Sequence, residues 1–512
     1  MKMKKAMAAM TAAVLVSGLT AVPASAGETL KFCCLEYSES LDPTNNVNSA
    51  WCNTRYGIGE ALFRFDDTMT AQPQLCDSYE VNDEHTEWTF HVREGITFSN
   101  GTAVTASNAA ASLNYVLENC DQARSYLAAD SVEGDDSTGN ITIKTSQPYA
   151  DLTGVLAYPY FVILNIEEST SLSESPIATG PYVVQDYQPG QYMLLTKNEN
   201  YWNGEVPYDD LQIMFMTDST TKYNALINGD VDLVENITTS TDLEALKADT
   251  DNYNVSVAPG VRIGYCHVNV EGVLGNSDLR HAVMMALDDE TMCNVTVGGM
   301  YTPGYSVLPS SLAYGYDELT DATPYDVEAA KKLLDDAGIV DSDGDGVREL
   351  DGEKISLNYV TYESRNLNDF CAAIQIQLAQ IGVEVVPNVT DYDTGLALAA
   401  AGEFDLCGVN ELAVPCGDPQ SYLNIWYSQS EKNYGRYNNP DYDALYEQLV
   451  VTFDADERAE IIKEMQQILI DDAAVLVHGY YNSSMESRKN VTGAEIATAD
   501  YYWITTDIKP AE

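Results

Sequence analysis

The chain has 512 residues, 45% of them hydrophobic, and sets 26 Lys and Arg against 79 Asp and Glu, a formal net charge of −53. So acidic a surface repels nucleic acid and anionic membrane, and the apolar fraction is too high for a disordered chain. The length exceeds what one hydrophobic core usually supports, so two or three lobes are expected.

In chain order, Lys2, Lys4 and Lys5 precede an apolar run from Ala6 to Leu19, and Ala24-Ser25-Ala26 supplies the small residues of a cleavage site. Residues 1–26 therefore read as a secretory signal peptide, too short in its apolar part for the roughly 20 residues of a bilayer crossing. Cys33 and Cys34 lie beyond the cut, which argues against a lipid anchor there. The mature protein is expected to be soluble and monomeric, exported across the cytoplasmic membrane to the periplasm or cell envelope. Export permits disulfides among the ten cysteines, and Cys407 and Cys416 are close enough to clip one loop. The five histidines show no zinc spacing.

Up to about Val270 the pattern is strand-rich, with strands predicted at Glu87–Val92, Asn140–Thr145, Tyr182–Tyr187, Tyr192–Lys197 and Leu211–Met216. Gln188-Pro189-Gly190-Gln191 marks a hairpin. From Asn276 the period becomes helical: Ser277 or Asp278 caps one predicted helix, and Asp326 caps another that stops at Gly338. Ser356 to Val386 reads as strand, helix and strand, with the helix capped near Asp369 and closed by Gly382. That is a βαβ unit with a parallel pair. Asp454 and Glu457 have capping-box spacing at the head of a long helix. Val475–Tyr480 and Tyr501-Tyr502-Trp503 read as strands.

Several stretches, taken in order, resemble the extracellular solute-binding proteins of family 5, which include dipeptide-, oligopeptide- and nickel-binding proteins. Ser40-Leu41-Asp42-Pro43 is similar to the family's early S-L-D-P. The run from Trp88 to Thr102 follows its T-F-x-L-R-x-G signature, Gly180-Pro181-Tyr182 its G-P-Y, and Tyr201-Trp202-Asn203-Gly204 its Y-W-x-G. Tyr437-Asn438-Asn439-Pro440 and Asn490-Val491-Thr492-Gly493 extend the series over nearly the whole mature chain. The resemblance implies an α/β fold, a two-lobed periplasmic-binding-protein clamshell with an additional N-lobe subdomain. Residues 27–270 would form the N-lobe, 271–480 the C-lobe, and 481–512 a segment returning to the N-lobe. It also implies the solute-binding component of an ABC importer, capturing a peptide or peptide-like solute by hinge closure for the permease subunits.

The family's peptide binders carry an ammonium-pairing aspartate a few residues before a D-P or E-P pair. Here Asp418-Pro419 is present but Pro415 stands at that position, so Glu411 or Asp418 takes the role or the ligand is not a free-amino peptide. Arg365 corresponds to a carboxylate-binding arginine, a task that suits the guanidinium fork. Trp426 and Tyr37 are the aromatic candidates for the cleft. Asp341, Asp343 and Asp345, with Gly346 at the sixth position, match the first half of a calcium loop, although the twelfth position is Gly352 instead of Glu. No cofactor is required, and Ca2+ is the one ion the pattern suggests. No G-x-S-x-G, H-E-x-x-H, P-loop or G-x-G-x-x-G occurs, so a non-enzyme is expected. The rivals are a secreted glycan- or peptide-acting hydrolase, and capture of a sugar or metal chelate on the same scaffold.

Overall fold

Two strands, Tyr253–Val268 and Val475–Arg488, are the longest in the computed structural model, which describes residues 28–511; the signal peptide expected at 1–26 lies outside the described residues. At about 3.3 Å per residue each spans roughly 45–55 Å, enough to run through two lobes in succession. They lie side by side, antiparallel. On one flank stand Leu233–Glu235, Thr29–Cys34, Asp210–Phe215, Tyr192–Lys197 and Tyr182–Gln188, in that order. On the other stand Leu406–Leu412, Ser356–Tyr362 and Glu384–Thr390. With the short strand Tyr301–Thr302 the result is one eleven-stranded mixed sheet carrying both lobes of an α/β clamshell. The predicted βαβ unit is present, with Leu357 opposite Val385 and helix Leu367–Leu378 between the parallel strands.

The register of the long pair shifts twice in its middle, at a gap after Pro259 and at a bulge between Gly264 and Tyr265. Pairing runs from Tyr253 and Arg488 to Pro259 and Asn482, stops, and resumes at Ile263 and Tyr480. Gly260, Val261 and Arg262 sit in the gap. Just beyond it Gly264 faces Gly479. A Cβ on Gly264 would stand 2.9 Å from the Tyr301 ring, and one on Gly479, at φ +135°, would stand 2.6 Å from the Thr302 carbonyl oxygen. The glycine pair therefore lets Tyr301–Thr302 lie close over the crossing.

The additional N-lobe subdomain is a four-stranded antiparallel sheet, ordered Cys76–Val81, Glu87–Val92, Asn140–Thr145, Ala129–Asp135, backed by helix Ala106–Asn119. The largest apolar cluster runs from Leu113 and Trp51 through Tyr501 to Tyr265, Trp426 and Met465, so the lobes touch. Among the described residues no helix is long and apolar enough to cross a membrane.

Two of the four predicted helix caps are realised. Asp326 accepts from Ala329 N, and Asp454 from Asp456 N and Glu457 N. The helix Ser277–Met285 is capped by Asn276, one residue ahead of the predicted Ser277 or Asp278, because Asn276 is the last extended residue and accepts from Leu279 N. The helix expected near Asp369 begins at Leu367. Tyr501–Trp503 is not a strand: Tyr501 and Trp503 are both buried and the segment joins no ladder, so its aromatic rings fill the core from irregular backbone. All ten cysteines are free and buried. Cys407 packs with Val360, Ala399 and Phe404, whereas Cys416 belongs to the cluster between the lobes, so the suggested clip does not form.

Glu486 on the second long strand is fully buried, and neither carboxylate oxygen has a hydrogen-bond partner. Burial pushes it up to about 8, offset in part by Lys222. A carboxyl raised from 4.5 favours the protonated fold, so its contribution is complete below about 4.5 and is lost as pH rises through about 8. Glu486→Gln should gain Tm relative to wild type at pH 8 over its difference at pH 5. An identical difference at both pH values would refute the assignment.

Candidate functional site

The parallel strands of the C-lobe end on one edge, at Tyr362, Thr390 and Leu412, and that edge meets the gap between the long strands through the Arg262–Leu412 pair. In open α/β sheets ligands bind beyond the carboxyl ends of the strands. A groove of about 660 Å³ opens there, bordered by Tyr362, Glu363, Ser364, Thr390 and Tyr392.

Arg365 stands at the head of this wall. It and Asn366 both adopt left-handed backbone, at φ +48° and +59°, a strained arrangement for consecutive non-glycine residues. The turn is held because Tyr301 Oη donates to the Arg365 carbonyl at 2.7 Å, and the guanidinium lies 4.8 Å from the Tyr481 ring centre. Asn410 Nδ2 donates to Tyr301 Oη at 2.9 Å, and Arg262 Nη1 donates to Asn410 Oδ1 at 3.2 Å. One chain of side chains thus ties Arg365 to Arg262. Neither forms an ion pair among the described residues, although sixteen others exist there. Burial, with the Arg365 charge beside it, pushes Arg262 down to about 10.

Across the hinge, helix Val47–Arg55 presents Arg55, which pairs with Asp500 at 2.8 Å. Three rings surround its guanidinium: Trp503 at 4.2 Å, Trp51 at 4.8 Å and Tyr37 at 4.9 Å. Such cation–π contacts suit a desolvated cation. Arg55 Nη1 and Trp51 Nε1 remain buried donors without partners.

The predicted residues fall in different places. Glu411 lies on the C-lobe wall beside a small cavity with His267, Tyr392 and Tyr434; it accepts from Tyr265 Oη at 2.9 Å, and burial raises its carboxyl. Tyr37 belongs to the Arg55 cage and donates to Glu235 at 2.8 Å. Trp426 is 3% exposed, packed against Tyr265 and Tyr422 in the core. Asp418 is held by Arg458 at 2.6 Å and accepts from Gln420 N. Its loop is covered by the N-lobe: Tyr501 Oη donates to the Pro415 carbonyl, and a Cβ on Gly154 would meet the Cys416 carbonyl oxygen. The sequence reading passed over Arg262, Arg55 and Asp500. Arg262 did leave a signal, as the lone charge in the apolar run Gly260-Val261-Arg262-Ile263-Gly264.

The carboxylate oxygens of Asp341, Asp343 and Asp345 converge within 4.8 Å of one another on the exposed surface. Asp341 accepts from Gly344 N and Gly346 N, while Lys354 pairs with Asp343 at 3.2 Å and with Asp345. One ammonium thus pairs with two of the three carboxylates that a calcium ion would use.

Fold and cleft together define a two-lobed solute-capture protein. The model of the bacterial extracellular solute-binding proteins, family 5 (middle), matches residues 70–434. The chain belongs to that family, whose members work outside the cytoplasmic membrane. It is 26% identical to heme-binding protein A of Haemophilus influenzae, over 89% of this chain and 87% of that protein. It is 23% identical to a probable D,D-dipeptide-binding periplasmic protein of Escherichia coli, over 89% of each. In fold it is similar to a nickel ABC transporter structure from Bacillus halodurans, with a TM-score of 0.84, 23% identity and coverage of 94% of this chain and 99% of that one.

Two outcomes follow from this geometry. Asp418→Asn should lower Tm through the stranded Arg458, by about 2–3 kcal/mol of stability for a pair that is mostly buried; an unchanged Tm would release Asp418 for ligand contact. Wild type should melt at one temperature in EDTA and in millimolar calcium, whereas Lys354→Met should gain a calcium-dependent rise. A calcium response in wild type would show that the ion displaces Lys354.

Proposed function

We propose that the protein is the solute-binding component of an ABC importer whose solute is a small carboxylate-bearing molecule, a peptide or peptide-like compound, enclosed between the lobes and passed to the permease. The observation that carries this reading is Arg365: a guanidinium without a carboxylate partner, strained into place at the carboxyl ends of the C-lobe strands. An arginine so placed matches a carboxylate with two parallel hydrogen bonds. The relatives named for a D,D-dipeptide and for heme support a small solute with acidic groups. The protein acts by binding and release, and the interrupted strand pair is where the lobes turn.

Calorimetry on Ala-Ala, its C-terminal amide and its N-acetyl derivative tests this. Amidation, and Arg365→Met, should each weaken binding about 10- to 100-fold, the worth of a charge-assisted hydrogen-bonded pair. Acetylation should matter less, since Pro415 replaces the aspartate that would pair an ammonium. Small-angle scattering should show a smaller radius of gyration with ligand. Indifference to amidation together with an unchanged radius would sink the reading.

A further inference from the structure

We infer that Arg262 is a second anion-binding group of the cleft, and that the preferred solute carries two acidic groups, one for Arg365 and one for Arg262. The inference rests on the carboxylate reading above and narrows it to a diacid.

The observations concern placement, pairing and supply of charge. Arg262 lies in the three-residue gap where the long strands part, the one stretch of the sheet between the lobes whose backbone is not committed to the Val475–Arg488 ladder. Its guanidinium is partly buried and close enough to that of Arg365 for the two to repel. Like charges brought together away from water are costly. The fold nevertheless imposes this arrangement through Tyr301 and Asn410, both buried and hydrogen-bonded to each other.

The nearby acids relieve it only in part. Asp500 is taken by Arg55, and Glu411 accepts from Tyr265 Oη while burial favours its neutral form. Among the described residues Arg64, Arg93, Arg280, Arg436 and Arg488 also lack an ion pair, so what distinguishes Arg262 and Arg365 is that the hydrogen-bonded link through Asn410 and Tyr301 holds them near each other. Arg262 accordingly has hydrogen-bonding capacity left: only Nη1 has protein acceptors, the carbonyl and side-chain oxygens of Asn410. A single carboxylate satisfies one fork; two acidic groups satisfy both and cancel the repulsion. The unpartnered donors Arg55 Nη1 and Trp51 Nε1 on the N-lobe side, next to Asp500, add to an acceptor-seeking surface across the hinge.

Ala-Glu and Ala-Gln are nearly isosteric and differ by one acidic group, so calorimetry on this pair isolates the second charge. Wild type should bind Ala-Glu about tenfold or more tighter than Ala-Gln. Arg262→Met should abolish the preference, Arg262→Lys should restore part of it, and the unliganded Tm of Arg262→Met should not fall, because its removal relieves repulsion. Equal binding of the two peptides by wild type overturns the diacid inference and leaves the carboxylate reading standing. A lower Tm with both affinities reduced alike makes Arg262 structural and also overturns it. If neither peptide binds, glutarate against butyrate separates the claims: a preference for glutarate that is lost in Arg262→Met keeps the diacid and dismisses the peptide, and no binding of either removes both.

Discussion

The structure depends on two long antiparallel strands that belong to both lobes at once and lose their regular pairing between Pro259 and Tyr265, where the lobes meet. Backbone hydrogen bonds resist separation along each paired stretch, so bending concentrates in the gap between Pro259 and Ile263. That gap has further consequences. It frees Gly260, Val261 and Arg262 from the second strand, and it delivers Arg262 to the edge where the C-lobe strands end. The glycine pair just beyond it admits the short strand whose Tyr301 fixes Arg365. Hinge and site are therefore built from the same irregularity.

The electrostatics of the cleft run opposite to those of the whole chain. A net charge of −53 keeps the surface hydrated and mutually repulsive, but exposed charges are screened over about 8 Å at physiological salt. Near the cleft the local groups decide: Arg262 feels both Arg365 and Asp500, and Asp500 itself is paired with the buried Arg55. The aromatic cage shows how an arginine is retained in a buried place: three rings and one carboxylate surround Arg55. Arg365 has a single ring, Tyr481, and Arg262 has only the oxygens of Asn410. That difference separates a cation enclosed by the fold from the two to which the proposal above assigns the anion.

The loop from Ala413 to Asp418 is held by the fold on both sides. With Pro415 at the position where a charged side chain would reach a ligand, the loop instead packs against Phe65, Gly154 and Tyr501 of the N-lobe. Asp418 then serves the fold, anchoring helix Ala455–Asp471 through Arg458.

Local signals in the sequence determined much of the scaffold. Asp326 and Asp454 could be read as caps because a side-chain oxygen satisfying free helix amides needs only a few neighbouring residues. The βαβ unit from Ser356 to Thr390 was legible for the same reason, since strand, helix and turn each have a periodic signature. Arg365 could be nominated only through the resemblance to the family's dipeptide binders, which carry a carboxylate-binding arginine after that strand. Tyr501–Trp503 misled the reading because three consecutive aromatics resemble a strand while their rings fill core gaps from irregular backbone. Trp426 and Asp418 were equally undecided by type alone: a tryptophan suits a core as well as a cleft, and an aspartate before proline suits a turn, a ligand or an ion pair. Tertiary structure alone decided that Arg458 would claim Asp418, 40 residues away in sequence, and that Arg262 would come beside Arg365 through Asn410 and Tyr301. Pairing over such separations is set by how strands cross and which loops meet, and no local pattern of residues encodes it.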